Sequence, residues 1–430
     1  QTSRLRFFGG TTNHWTGWCR ALDQMDFEPR NGIAMSGWPI QANDLRPYYE
    51  DSMSILELED ERPFFETDPT TPASNGGLRT ISFAHSPPVR FAAKYGEGLA
   101  ASSSVDVLLN ATAVGLEADS ETGAFRSVQV RDYQSGNTRS FKANQFVVAL
   151  GGVENARFLL LLNRELGGLA GNSGDMVGRC FMEHPAFTIG GCVLFNPSQF
   201  RVASHYALPQ DSLAARSLAQ CIVSLEPVGR PPYYKHSGLY GSMRRQTKDI
   251  ICELGLEEFV RKFAHVGACV DYTNEKAVVR AALEQFPNPA SRVTLSKETD
   301  TFGQPRCELN WELLRSEKRA LKAAALEFGM YLARAELGRF KAYDWVLDDE
   351  QGFPAFDHDK AFALWHHMGT TRMSVSPETG VVDKDCRVHG TRNLYVAGSS
   401  VFATSGLAQP TFTIVALALR LAEHLSRQPD

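Results

Sequence analysis

The 430-residue sequence predicts a mixed α/β protein (α+β overall) in which an α/β unit assembled from both chain ends encloses a middle region of antiparallel sheet and helix. Three observations carry that reading. An apolar run, Phe146-Val147-Val148-Ala149-Leu150, leads through Gly151-Gly152 into a helical stretch from Val153 to about Asn163. Near the end the same grammar returns as Asn393-Leu394-Tyr395-Val396-Ala397, then Gly398, then a helix from near Pro410. Strand, glycine and helix in succession is the pattern of an α/β sheet. Between them, residues 186–300 alternate strand-like runs with loops, and residues 312–337 have strong helix composition.

The elements follow in chain order. Residues 43–57 predict a helix capped by Asn43 or Asp44, with Leu45, Tyr49, Met53 and Leu56 on one face. Residues 60–90, rich in Pro, Thr and Ser, read as a long excursion. Residues 105–150 predict β-structure: Val105 to Leu109, then Val128-Gln129-Val130, with polar turns between. The run Phe146 to Leu150 suits a strand buried on both faces. Phe187 to Phe195 and Gln220 to Leu225 are strand-like, and residues 273–284 read as helical. The last helix is apolar nearly all round through Leu419, which predicts burial, and Pro410 suits its first position because the missing N–H would be unpaired there anyway.

Composition bounds the function. The chain is 43% hydrophobic and 22% charged, ordinary globular values that allow a large core. Lys plus Arg number 44 against 49 Asp plus Glu, a net charge of −5 with no basic block, so no nucleic-acid partner is expected. The longest apolar runs, Phe158 to Leu162 and Thr413 to Leu419, fall far short of a membrane span. Eight scattered cysteines without a CxxC read as thiols of a reducing compartment. A soluble, cytoplasmic protein is the expectation, with the periplasm left open because the chain opens on Gln1 inside a motif and its true N-terminus is expected to be missing.

Two segments carry chemistry. Gly9-Gly10-Thr11-Thr12-Asn13-His14-Trp15-Thr16 joins two glycines, which let backbone approach a flat ligand, to hydroxyls and an amide that donate to it. The C-terminal block holds His366-His367-Met368-Gly369-Thr370-Thr371, Asn393 to Ser400, and Gln409-Pro410-Thr411-Phe412-Thr413. No metal is expected, because adjacent histidines on a strand point to opposite faces.

Together these blocks resemble the glucose–methanol–choline (GMC) oxidoreductase family, over most of residues 1–60, 105–185 and 285–425. The opening loop is most similar to the branch with pyranose oxidase and the large subunits of bacterial sugar dehydrogenases. Val177-Gly178-Arg179-Cys180-Phe181-Met182-Glu183-His184-Pro185 and Ser291 to Leu295 are similar to stretches of the same branch. The resemblance implies an FAD-binding Rossmann-like domain and oxidation of a CH–OH carbon with hydride passing to the flavin N5. Its catalytic histidine stands four residues before the Thr of a Gly-Thr pair, which assigns the base to His366, with His367 as the alternative. Its second active-site position, a His or Asn before the last helix, is Gln409 here. Gln can hydrogen-bond a substrate hydroxyl but cannot act as a base at neutral pH. The cofactor-binding residues carried over are Gly9, Gly10, Thr11, Thr12, Asn13, His14, Trp15, Thr16, Ala113, Gly398, Ser399, Pro410 and Thr411. His14 matches the residue that pyranose oxidase bonds covalently to the flavin, while other relatives bind flavin there without a bond, so both readings stand.

The resemblance divides the chain into 1–60, a partial FAD-binding domain and flavin-attachment loop; 61–104, a lid or excursion; 105–185, FAD-binding domain; 186–350, substrate-binding domain; and 351–430, the C-terminal FAD-binding and catalytic segment. It implies a sugar, glycoside or cyclitol substrate and oxygen, a quinone or a cytochrome as electron acceptor. The GxGxxG unit that cradles the FAD pyrophosphate is absent. The expectation is that it precedes the given chain, is disordered, or is supplied by a second chain; homo-oligomerisation is left open. The competing readings are a non-redox lyase that keeps FAD and a catalytically impaired subunit needing a partner.

Overall fold

One parallel strand pair joins residues 146–148 to residues 394–396 near the C-terminus. The computed structural model describes residues 3–58, 77–119, 122–195, 205–227, 276–357 and 360–428. In chain order its strands are β1 (Trp18–Cys19), β2 (Arg79–Ile81), β3 (Ala84–His85), β4 (Ala111–Ala118), β5 (Phe125–Asp132), β6 (Thr138–Lys142), β7 (Phe146–Val148), β8 (Pro185–Leu194), β9 (His205–Ala207), β10 (Cys221–Pro227), β11 (Lys276–Leu283), β12 (Arg292–Thr299), β13 (Pro305–Asn310), β14 (Gly338–Ala342), β15 (Ala361–Ala363) and β16 (Leu394–Val396). The longer helices are α1 (Ala42–Ile55), α2 (Phe91–Ala100), α3 (Gly151–Leu166), α4 (Arg315–Arg334) and α5 (Pro410–Ser426).

β16 lies parallel to β7, with Leu394 beside Phe146 and Val396 beside Val148. Each strand is followed by a glycine in the left-handed region, Gly151 (φ +88°) and Gly398 (φ +104°), a turn that side chains other than glycine rarely take. Asn155 locks the two turns together. Its carbonyl accepts the Leu150 N–H at 2.6 Å, and its amide donates to Ala397 O at 2.9 Å and Ser400 Oγ at 2.7 Å. α5 packs on α1, where the Tyr49 ring lies 4.8 Å from Phe412 and its hydroxyl 2.7 Å from Thr413 Oγ1. One apolar core therefore draws on both termini, from Cys19 and Leu45 through Val148 and Leu159 to Val396 and Phe412.

The middle of the chain builds a second core. An antiparallel sheet runs β14-β8-β11-β10-β9-β2, and β15 also pairs with β8. α4 covers it with Leu321, Ala324, Phe328 and Leu332, all buried. Phe328 meets Tyr206 of β9 at 5.6 Å and Phe340 of β14 at 6.0 Å between ring centroids.

Four expectations need correction. Residues 276–283 form a strand, not the helix expected over 273–284. Their burial alternates with period two, and pairing to β8 and β10 on both sides outweighs the helix propensity of their alanines. Val105 to Leu109 is not a strand; Val105, Val107, Leu108 and Leu109 are 42–62% exposed. The run from Phe146 is buried on one side only, since Val147 and Leu150 are 44% and 47% exposed and β16 is the one strand paired to β7 among the described residues. Helix α1 begins after Gln41 rather than being capped by Asn43 or Asp44; Asp44, inside the first turn, accepts the Gln41 N–H at 2.8 Å. Part of the excursion expected over 60–90 lies outside the described residues, and the rest includes β2 and β3.

None of the six described cysteines is disulfide-bonded, and all but Cys307 are buried; Cys252 and Cys269 lie outside the described residues. No helix among the described residues is long and apolar enough to cross a membrane.

The N-terminal piece is tied to the end of β11 by a buried ion pair. Arg30 donates from both terminal nitrogens to Glu284, Nη1 to Oε2 at 2.8 Å, and Glu284 Oε2 also accepts the Gln220 N–H at 2.9 Å. Removing one partner of such a pair strands a buried charge, so Arg30→Met should cost about 3–5 kcal/mol. Thermal and urea unfolding of the variant check this; an unfolding midpoint equal to that of the parent would contradict it.

Candidate active site

His366 reaches its place through a break in a ladder. Met182 and Met368 exchange backbone hydrogen bonds at 2.9 and 3.0 Å, and further along Pro185 of β8 pairs with Ala363 of β15. Residues 183 and 184 on one side therefore face 364–367 on the other, a bulge with the longer side bowed out. Trp365 sits at φ +63° in the bow and is 44% exposed. A left-handed backbone at a bulky residue persists only where its surroundings hold it.

Glu183 does the holding. It is 1% exposed, and its Oε1 accepts the His366 N–H at 2.6 Å and the His184 N–H at 2.9 Å; the Trp365 N–H donates to the same carboxyl. Burial pushes the Glu183 carboxyl up to about 7, with those backbone donors opposing the shift. Glu183 is positioned in turn by Gln285, whose Oε1 accepts the Glu183 N–H at 2.9 Å and the Trp311 indole N–H at 2.8 Å.

Three histidine rings follow from this frame. His184 and His366 meet edge to face, with Nδ1 to Nδ1 at 2.9 Å, and His184 Nε2 lies 2.9 Å from Gly406 O. His184 is buried while His366 is partly exposed. His367 turns away and packs on Phe181, centroids 5.7 Å apart. Burial holds the His366 imidazole well below its usual value, and the neighbouring His184 and His367 rings add to the effect. Burial likewise brings His184 and His367 down to about 4, with Arg4 contributing at His367. His367 Nε2 stands 3.8 Å from Glu183 Oε2, but an uncharged imidazole makes this no ion pair at neutral pH.

The two glycine turns border the same segment. Ser399 donates to His367 O at 2.7 Å, Gly369 N donates to Ser399 O at 3.2 Å, and Thr370 Oγ1 donates to Gly152 O. Gly152 admits no side chain, because a Cβ there would overlap the His367 carbonyl. Gly151 and Gly398 are the reverse: space for a Cβ is open at both. Pro410 occupies the first position of α5, Gln409 makes no side-chain cap, and no acidic side chain stands in the first turn. Gln409 Oε1 is buried with no hydrogen-bond partner among the described residues.

The opening loop is fixed from below. Gly10–Asn13 form one turn of 3-10 helix. Arg90, ahead of α2, donates to Thr12 O at 2.7 Å and Trp15 O at 2.9 Å; Trp15 Nε1 donates to Val89 O at 2.8 Å, and Asn13 Nδ2 closes the loop on Phe8 O and Gly10 O. Thr12 Oγ1 bonds Gly9 O at 2.5 Å. Gly9 (φ +85°) is pressed against Ala92, whereas Gly10 (φ +56°) faces open space. Burial and the charge of Arg90 lower the His14 pKa. Arg6 reaches Thr112 Oγ1 at 3.2 Å, next to Ala113 on β4.

The structure thus brings Gly398 and Ser399 against the segment that carries His366, and α5 packs on the Ser399–Val401 turn. Gly9 to Thr16 contact the start of α2, and Ala113 lies on β4. Sequence reasoning assigned no role to Glu183, His184 or Gly151. The Glu-His pair in an otherwise apolar stretch and the strand-Gly-Gly-helix turn were the available signals. These residues fit a flavin: open, side-chain-free turns admit a flat ring and phosphates, an anion-free helix N-terminus suits a group that gains negative charge, and an unpartnered acceptor awaits a hydroxyl.

Residues 287–418 match the family model described as GMC oxidoreductase. The fructose dehydrogenase large subunit of Gluconobacter japonicus is 27% identical over 327 residues, covering 70% of this chain and 51% of the relative, so the chain spans about half of that protein's length. The 2-methyl-1,2-propanediol dehydrogenase of Mycolicibacterium austroafricanum is 25% identical over 98% of this chain and 80% of its own. The C-glycoside 3-oxidase of Microbacterium trichothecenolyticum is 31% identical over 32% of this chain and 24% of its own. The crystal structure of pyridoxine 4-oxidase from Mesorbium loti shares the fold, with a TM-score of 0.59 at 15% identity over 99% of this chain and 85% of that one. Residues 287–418 thus match the GMC oxidoreductase family, whose proteins bind FAD.

Proposed function

We propose that this protein oxidises a CH–OH group of a sugar, glycoside or cyclitol to the ketone or lactone, with His366 accepting the hydroxyl proton and Gln409 contacting the substrate. The observation that carries this is an uncharged, partly exposed imidazole, pinned by its backbone and ring, in a segment that the Gly398-Ser399 turn contacts. When bound, FAD supplies the acceptor for the hydride that leaves the alcohol carbon. Gly9 to Thr16, Gly398, Ser399, Pro410 and Thr411 are the residues that would hold it, with Ala113 toward the adenine. His366 is neutral at pH 7 and so ready to take the proton. The buried Oε1 of Gln409, an acceptor without a donor, favours a polyol that brings a second hydroxyl. The names of the sugar-acting relatives support the pyranose oxidase and sugar dehydrogenase branch, and the diol dehydrogenase extends the range toward vicinal diols. Oxygen, a quinone or a cytochrome would reoxidise the flavin.

The test is anaerobic bleaching of the flavin band by a panel of sugars and diols in stopped flow. Replacing His366 with Ala should slow bleaching about 10²–10⁴-fold with flavin retained; bleaching at the parent rate would remove the assignment, and colour that no alcohol bleaches would point to a lyase. Because the pKa of His366 lies below 6.5, it stays deprotonated as the pH falls through that value, and the bleaching rate should show no drop centred near 6.5 from this imidazole; a change near pH 7 would report protonation of Glu183, which holds its backbone.

Two further outcomes concern the cofactor. Gly398→Val puts methyl groups into the open turn at φ +104° and should lower the flavin-to-protein absorbance ratio severalfold. Acid precipitation separates the two readings of His14: yellow pellet for a covalent bond, yellow supernatant for none.

A further inference from the structure

We infer that His184 is the positioning residue that decides which nitrogen of His366 is free to accept the substrate proton. The inference deepens the proposed function and rests on its reading of His366 as the base.

The argument is a count of protons along one chain of atoms. Gly406 O is a carbonyl and can only accept, so the His184 Nε2 at 2.9 Å from it carries the hydrogen. His184 is buried and uncharged, which leaves its Nδ1 bare. The contact between the two Nδ1 atoms at 2.9 Å needs one hydrogen, and only His366 can supply it. His366 therefore holds its proton on Nδ1 and presents Nε2 as an open lone pair. Reversal of either ring would set two bare nitrogens, or two N–H groups, against each other.

Among the described residues, the other groups facing the pair do not supply the shared hydrogen; the Ser405 backbone carbonyl that also acts on His184 is an acceptor, like that of Gly406. Both bonds accepted by Glu183 Oε1 come from backbone N–H groups, not from a ring. The Glu284 carboxylate, the nearest other negative charge acting on His184, is taken by Arg30 and the Gln220 N–H. His367 packs on Phe181, with its Nε2 3.8 Å from Glu183 Oε2 and the charge of Arg4 acting on it. The anchor at Gly406 is itself rigid: Gly406 sits at φ +58°, and a Cβ there would crowd Leu22 and Asp26. His184 is thus a neutral acceptor held at both ends, the part an orienting carboxylate plays beside other catalytic histidines, but without a negative charge. It orients His366 without raising its pKa.

The experiment uses the full-length flavoprotein with ring-15N histidine. Two-bond 15N–1H correlations separate bare from protonated ring nitrogens, and His366→Gln and His184→Asn identify the signals. The expected result is His366 protonated on Nδ1 and bare at Nε2, with His184 the reverse. A proton on His366 Nε2 overturns the proposal, and this spectrum decides it even if a variant does not fold. In kinetics, His184→Leu removes the acceptor and should lower the limiting rate of anaerobic flavin reduction about 10²-fold while changing the substrate Kd less than threefold. His184→Asn, whose carbonyl can accept the His366 Nδ1–H, should restore most of the rate. A Leu variant at the parent rate, or Asn and Leu variants equally slow, overturns it. Failure of the underlying reading shows separately, as parent-rate bleaching by His366→Ala, and leaves the spectrum unchanged.

Discussion

The buried carboxyl of Glu183 is what lets the strand carrying His366 leave its ladder. A bulge in a buried pairing strands N–H groups, each costing about 1–3 kcal/mol if left without a partner. Here the N–H groups of Trp365 and His366 lose their ladder carbonyls, and one carboxyl accepts both along with that of His184. The same device fixes the left-handed Trp365 and aims the two imidazoles at each other. Because Glu183 hangs on Gln285 and Trp311, the geometry of His366 is set from the middle sheet, not from the segment that carries it.

The opposite side of the site is built from the chain ends. Parallel pairing of β16 with β7 brings two glycine turns together, and Asn155 bonds across them. Helix α5 then starts with no side-chain cap and no acidic residue in its own first turn, so nothing in that turn offsets the partial positive charge of its N-terminus, roughly half an elementary charge. Three neutral histidines add no charge of their own.

Legibility in the sequence followed local pattern. The helix at 42–55 shows in periodicity, that at 315–334 in composition, and those at 151–166 and 410–426 in the strand-glycine-helix order of residue types. Where long-range partners decide, the pattern misleads. Lys276 to Leu283 has the alanines of a helix but lies between two strands, whose ladders fix it as extended chain. Phe146 to Leu150 has the apolar run of a doubly buried strand, yet one face stays open because burial depends on neighbours that no local window contains.

The candidate site divides in the same way. Sequence alone determined the residue types: His366 ahead of a Gly-Thr pair, the glycines of the turns, Gln409 before a proline that starts a helix. Tertiary structure alone decided that a histidine 182 residues away would face His366, because their contact comes from a bulge between two segments whose register is set across the sheet. A proton's position on an imidazole depends on what the other nitrogen touches. That partner is chosen by folding, not by the residues beside it in the chain.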